Sequence, residues 1–189
     1  MIEYIGTITG ILGVYLSIKQ KIFAWPTFII CYSSYIYLAF KANLLANMSL
    51  NIIFVFISLY GWWNWQNKKG SDNLKDKEAI RVLPRQKIYI CLGFCLFGTI
   101  LLGTYLSKHN SFLPYLDSLA TVTAICAQWM LSKKYIQTWI FWLISDVIFL
   151  FLWAMQGFTV TTILYICFII LAFWGLINWN KTMQEVKKI

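Results

Sequence analysis

Apolar residues in this chain are gathered into seven long blocks: Ile2 to Ile18, Trp25 to Phe40, Leu44 to Trp65, Ile88 to Leu106, Leu113 to Leu131, Tyr135 to Met155 and Phe158 to Trp179. Each is near the ~20 residues with which an α-helix crosses the ~30 Å hydrocarbon core of a bilayer. The connections are short apart from Gln66 to Lys87, where Gly70, Ser71, Asp72 and Pro84 read as an exposed loop. The pattern predicts seven membrane-spanning helices.

The blocks also repeat. A shift of 114 positions superposes the first three on the last three without a gap, placing Thr7 on Thr121, Thr9 on Thr123, Lys19 on Lys133, Trp25 on Trp139, Gly61 on Gly175 and Trp65 on Trp179. The most specific piece is aromatic-Gly-x-x-Asn-Trp, at Tyr60 to Trp65 and again at Trp174 to Trp179. Three helices per copy would invert the second copy if it followed directly, and the block Ile88 to Leu106 between them restores the direction. The expected fold is an all-α integral membrane protein with seven transmembrane helices in a 3+1+3 arrangement of parallel repeats, as in the SWEET sugar carriers. Its parts are a first repeat over 1–66, a loop and linker helix over 67–112, and a second repeat with a tail over 113–189.

Composition agrees: 60% hydrophobic residues, 12% charged and a mean hydropathy of +0.66 exclude a soluble core. The net charge of +9 is spread between the blocks, which argues topology and not a nucleic-acid partner. With the N-terminus outside, 14 of the 16 Lys and Arg residues fall on the inner side and only Lys41 and Lys108 outside, so the positive-inside rule orients the chain N-out and C-in. Glu3 and the lack of an early Lys or Arg mark the first block as a retained helix and not a signal peptide. Five cysteines, all inside apolar blocks, with a single His109, give no metal site. Neither a nucleophile with a histidine partner, a phosphate cradle nor a HExxH motif is present, so no enzyme and no cofactor is expected.

Polar residues inside the blocks are few, and each is a candidate. Trp139, Trp142 and Asp146 follow at i+3 and i+4, so one helix face would carry two indoles and a carboxylate, a cage suited to an organic cation. Asp146 should face the bundle interior, as intramembrane ionisable residues do. Asn47, Asn51 and Ser58 share a face of the third block, and the repeat sets Thr161, Tyr165 and Ala172 on the matching face of the seventh. Gln128 offers an amide donor and acceptor in the fifth block, where Thr121 repeats Thr7. The plainer reading of all these residues is an interfacial Trp belt and interhelical hydrogen bonds of ~0.6 kcal/mol each.

Leu50-Asn51, Ser58 to Trp62, Gln128, Lys134, Trp139-x-x-Trp142, Asp146, Tyr165 and Trp174-Gly175, in this order over nearly the whole chain, resemble the PnuC family of vitamin transporters. The resemblance implies a carrier in the bacterial inner membrane that binds nicotinamide riboside midway between the repeats, lets it equilibrate by facilitated diffusion, and relies on cytoplasmic phosphorylation to trap the product. Trp139, Trp142, Asp146, Gln128, Asn51, Asn47, Tyr165 and Thr121 are the expected substrate-binding residues. Thr138 stands where nicotinamide riboside members often carry Asn, which keeps thiamine and riboflavin open as alternatives. The partners are then a small-molecule vitamin and the lipid bilayer, with a homo-oligomer left open. A seven-helix receptor or scaffold that moves nothing is the alternative from another class.

Overall fold

The computed structural model describes residues 2–41, 45–67, 80–109 and 112–187, and seven α-helices lie within them. These are α1 (Ile2–Ile18), α2 (Ala24–Lys41), α3 (Leu45–Asn67), α4 (Arg85–Ser107), α5 (Pro114–Ser132), α6 (Thr138–Met155) and α7 (Thr159–Lys187). By length and composition α4, α6 and α7 suffice to cross a bilayer, while α1 is apolar but only 17 residues long. Two details differ from the sequence pattern. Helix α7 runs on past Trp179 to Lys187, because a tail of Lys, Met, Gln and Glu without Gly or Pro gives the helix no reason to stop. The segment read as an exposed loop is not wholly exposed: residues 68–79 lie outside the described residues, but Ile80 and Leu83 are buried.

The first turn of each three-helix unit is built the same way. After α1, the N–H of Lys21 donates to the Leu16 carbonyl at 2.9 Å and that of Gln20 to Ser17 at 3.0 Å; after α5, Tyr135 donates to Met130 and Lys134 to Leu131, both at 3.0 Å. This is the 6→1 and 5→2 pairing of a Schellman cap, which needs a left-handed residue just beyond the helix. Gln20 (φ 54°) and Lys134 (φ 57°), 114 positions apart, fill that role.

Helix packing closes a ring in the order α1, α2, α3, α5, α6, α7 and back to α1, with α4 outside it against α5. Helices α3 and α5 run in the same direction, since Ser58 meets Gln128 and Asn64 meets Ser132. So do α1 and α7, where Gly10 approaches Phe168, Tyr15 meets Trp174 and Ile18 meets Trp179. In this ring every helix stands opposite its own repeat copy: α1 across from α5, α2 from α6, α3 from α7. That is a two-fold axis along the helix direction, and Lys134 Nζ reaches its repeat mate Gln20 Oε1 at 3.3 Å across it.

One end of the ring holds Lys19, Lys21, Arg81, Arg85, Lys87, Lys133 and Lys134 and is called the basic end here. Two matched indole layers fill the ring there. Trp25 lies flat on Gly61 and meets Trp65 edge-on at 5.2 Å; Trp139 lies on Gly175 and meets Trp179 edge-on at 5.3 Å. All four indoles are buried. Only glycine permits this approach, because a Cβ on Gly175 would stand 2.6 Å from the Trp139 ring. Trp179 donates its Nε1–H to the Ile18 carbonyl at 3.1 Å, whereas Trp25, Trp65 and Trp139 have no acceptor among the described residues.

Candidate functional site

Beyond the indole layers, at the middle of α6, lies Asp146. It is 4% exposed and has neither a hydrogen bond nor an ion pair among the described residues. The phenols of Tyr32 and Tyr165 lie within electrostatic reach of its carboxylate. Tyr32 is the repeat mate of Asp146, so the acid and the phenol face each other from opposite helices of the ring. An aromatic path joins the two sides: Phe28 stacks on Tyr32 at 6.0 Å, Tyr32 on Phe54 at 4.9 Å, and Phe54 leans against Trp142 at 6.5 Å. Trp142 is half-buried one turn below Asp146 on the same helix. The result is a ring interior with one carboxylate, two phenols and the face of an indole.

Trp139, the third member of the expected cage, lies nearer the basic end. It is the second residue of α6, and at ~1.5 Å rise per residue it lies ~10 Å along the axis from Asp146. Gly175 and Trp179 cover its ring, leaving it 1% exposed. Its packing on Gly175 and Trp179 matches that of Trp25 on Gly61 and Trp65 in the other repeat.

The remaining candidates divide by depth. Gln128 is fully buried near the basic end; its Nε2 donates to Ser58 Oγ at 3.3 Å, while its Oε1 has no partner. Asn51 is buried on α3 and its amide donates to the Asn47 carbonyl and to Asn47 Oδ1, both at 2.9 Å. Asn47 is exposed, further toward the end opposite the basic one. Tyr165 is half-buried on α7, its ring 5.3 Å from Phe149, and Thr121 is half-buried on α5. Asp146 and Trp142 thus share a face of α6 with Tyr165 within electrostatic reach of the acid, Asn51 and Asn47 bond each other, and Gln128 sits with Ser58 on the basic side. Tyr32 and Phe54 adjoin Asp146 and Trp142 and were not among the residues singled out by pattern. The shift of 114 does point to Tyr32, since it sets Tyr32 on Asp146.

A separate groove of ~370 Å³, lined by Phe56, Ile57, Tyr60 and Trp129, opens between α3 and α5 and includes none of the candidate residues. Among the described residues no cluster of His, Cys, Asp or Glu could hold a metal ion.

A two-fold ring of apolar helices, sealed at one end and carrying a buried carboxylate at mid-depth, has the construction of a membrane transporter. The model of the nicotinamide mononucleotide transporter family matches residues 1–181, and the chain belongs to that family. Among similar proteins, the nicotinamide riboside transporter PnuC of Escherichia coli is 25% identical over 97% of this chain and 87% of its own length. PnuC of Haemophilus influenzae is 26% identical, covering 96% and 80%. The riboflavin/roseoflavin transporter RibM of Streptomyces davaonensis is 21% identical, covering 94% and 83%. The crystal structure of the Vitamin B3 transporter PnuC has the same fold, with a TM-score of 0.77 at 24% identity over 97% of this chain and 82% of that one.

Proposed function

We propose that this transporter takes up a cationic vitamin, nicotinamide riboside before thiamine, by facilitated diffusion across the bacterial inner membrane. The observation that carries the reading is the carboxylate of Asp146, buried on α6 one turn from the Trp142 indole, without a hydrogen bond or ion pair among the described residues and within electrostatic reach of Tyr32 and Tyr165. A buried acid without a partner is costly, and a cationic ring would offset its charge while stacking on the indole. The phenols and the Asn51 amide supply hydrogen bonds suited to ribose or carboxamide. The PnuC relatives are named for nicotinamide riboside and RibM for riboflavin, so the family spans both a charged and a neutral ring. In this reading all seven helices cross the membrane, the basic end faces the cytoplasm, and phosphorylation there traps the product.

Calorimetric titration of the purified protein with nicotinamide riboside, thiamine and riboflavin tests the order of substrates. Heat from riboflavin alone would overturn it. Trp142→Ala should lower the affinity for the preferred vitamin by ~1–3 kcal/mol if the indole stacks on its ring. Uptake of labelled vitamin into proteoliposomes separates a carrier from a receptor that only binds.

Energy coupling gives a further prediction. Among the described residues Asp146 is the one acid well inside a helix; Glu3 and Asp117 lie in first turns and Glu185 in the tail. One carboxylate is thin provision for a sodium site or a proton relay. Vesicles with an imposed pH or sodium gradient should therefore equilibrate the unmodified vitamin without concentrating it, and accumulation driven by either gradient would refute facilitated diffusion.

A further inference from the structure

The segment from Ile80 to Pro84, between the first repeat and α4, crosses the basic end as a strap. The Arg81 N–H donates to the Lys134 carbonyl at 2.8 Å and the Ile136 N–H to the Arg81 carbonyl at 2.9 Å, forming a parallel bridge with the turn after α5. The Leu83 N–H donates to Gln137 Oε1 at 2.9 Å, and Lys87 Nζ reaches the Tyr135 hydroxyl at 3.3 Å. Successive side chains of the strap enter two different cores. Leu83 is buried with Cys91, Cys95 and Met130 between α4 and α5, whereas Ile80 is buried in the cluster of Trp25, Trp65, Trp139 and Trp179 that seals the ring.

The strap breaks the two-fold symmetry. The turn after α1 has the same Schellman geometry, yet no segment pairs with it among the described residues. Ile80 is therefore an extra apolar side chain placed where the two repeats meet, beside the Lys134 to Gln20 contact on the axis. Polar bonds alone do not hold this layer shut, because three of its four indole N–H groups lack an acceptor. A wedge of apolar contact is what the strap adds.

We propose that Ile80 is the wedge that closes the basic end, and that it leaves the seam between the repeats each time that mouth opens during transport. The proposal rests on the carrier reading above, and it makes the strap a positioning element that sets the balance between closed and open states. Ala24 is fully buried in the same cluster, so a cysteine placed there reports the opening.

The experiment measures labelling of Ala24→Cys by a membrane-impermeant maleimide, with the site resolved by mass spectrometry and Ile80 kept, shortened to Val, or shortened to Ala. Labelling should accelerate in the order Ile, Val, Ala, reaching about tenfold or more in Ile80→Ala, since such a factor needs only ~1.4 kcal/mol. Ile80→Val removes a single methylene and keeps the β-branch, so it decides the matter if the Ala variant does not fold. Equal labelling rates in the folded proteins would overturn the wedge. Vitamin uptake by the parent protein is measured alongside: equal labelling with intact uptake rejects the wedge and leaves the carrier standing, while absent uptake rejects the carrier.

Discussion

Replacing Asp146 by Asn should weaken binding of nicotinamide riboside or thiamine by ~1.5–3 kcal/mol, roughly ten- to hundredfold in Kd, while the protein stays folded. An amide keeps the shape and much of the hydrogen bonding of the carboxyl and removes only the charge. The sign of the stability change distinguishes this from a structural role. Asp146 makes no interhelical bond among the described residues, so nothing in the fold is lost with its charge, and the cost of burying an unpaired carboxylate is relieved. The thermal midpoint without ligand should therefore hold or rise. Riboflavin, having no cationic ring, should gain nothing from Asp146 and lose nothing in the variant. Calorimetry and a melting curve on one detergent preparation provide both readouts, and unchanged affinity with a lowered midpoint would remove Asp146 from the site.

The number of helices, their boundaries to within three residues except at the end of α7, and the repeat could be read from the chain because bilayer length and a gapless shift leave strong periodic marks. The burial of Asp146 was legible for a related reason, since a carboxylate inside an apolar block should turn away from lipid. Spacing of i+3 and i+4 gives the helix face that Trp142 and Asp146 share with Trp139, but not what covers Trp139. Its neighbour across the gap is Gly175, and close approach of an indole to glycine is a tertiary fact. The repeat does announce this packing, since Trp25, Gly61 and Trp65 recur as Trp139, Gly175 and Trp179 with the same edge-on geometry. Tyr32 was missed because a tyrosine in an aromatic-rich helix has no distinguishing pattern until it is superposed on Asp146. The strap was hidden in a polar segment, where a single Ile80 gives no periodicity to detect.

Adding one methyl group at Gly175 should destabilise the protein by ~1–3 kcal/mol, the usual range for overpacking a filled core. The added Cβ would meet Trp139 at 2.6 Å, and that ring cannot yield because Trp179 and the rest of the cluster enclose it. Gly61→Ala should behave alike against Trp25. At roughly 2–4 °C per kcal/mol the thermal midpoint falls measurably in each. Gly93→Ala is the control, since a Cβ there meets nothing within 4 Å and alanine is the better helix former by ~1 kcal/mol. Its midpoint should hold or rise. If Gly175→Ala melted with the parent protein, the indole layer would not be the close-packed seal described here, and Trp139 would be free to turn toward the ring interior and rejoin Trp142 and Asp146.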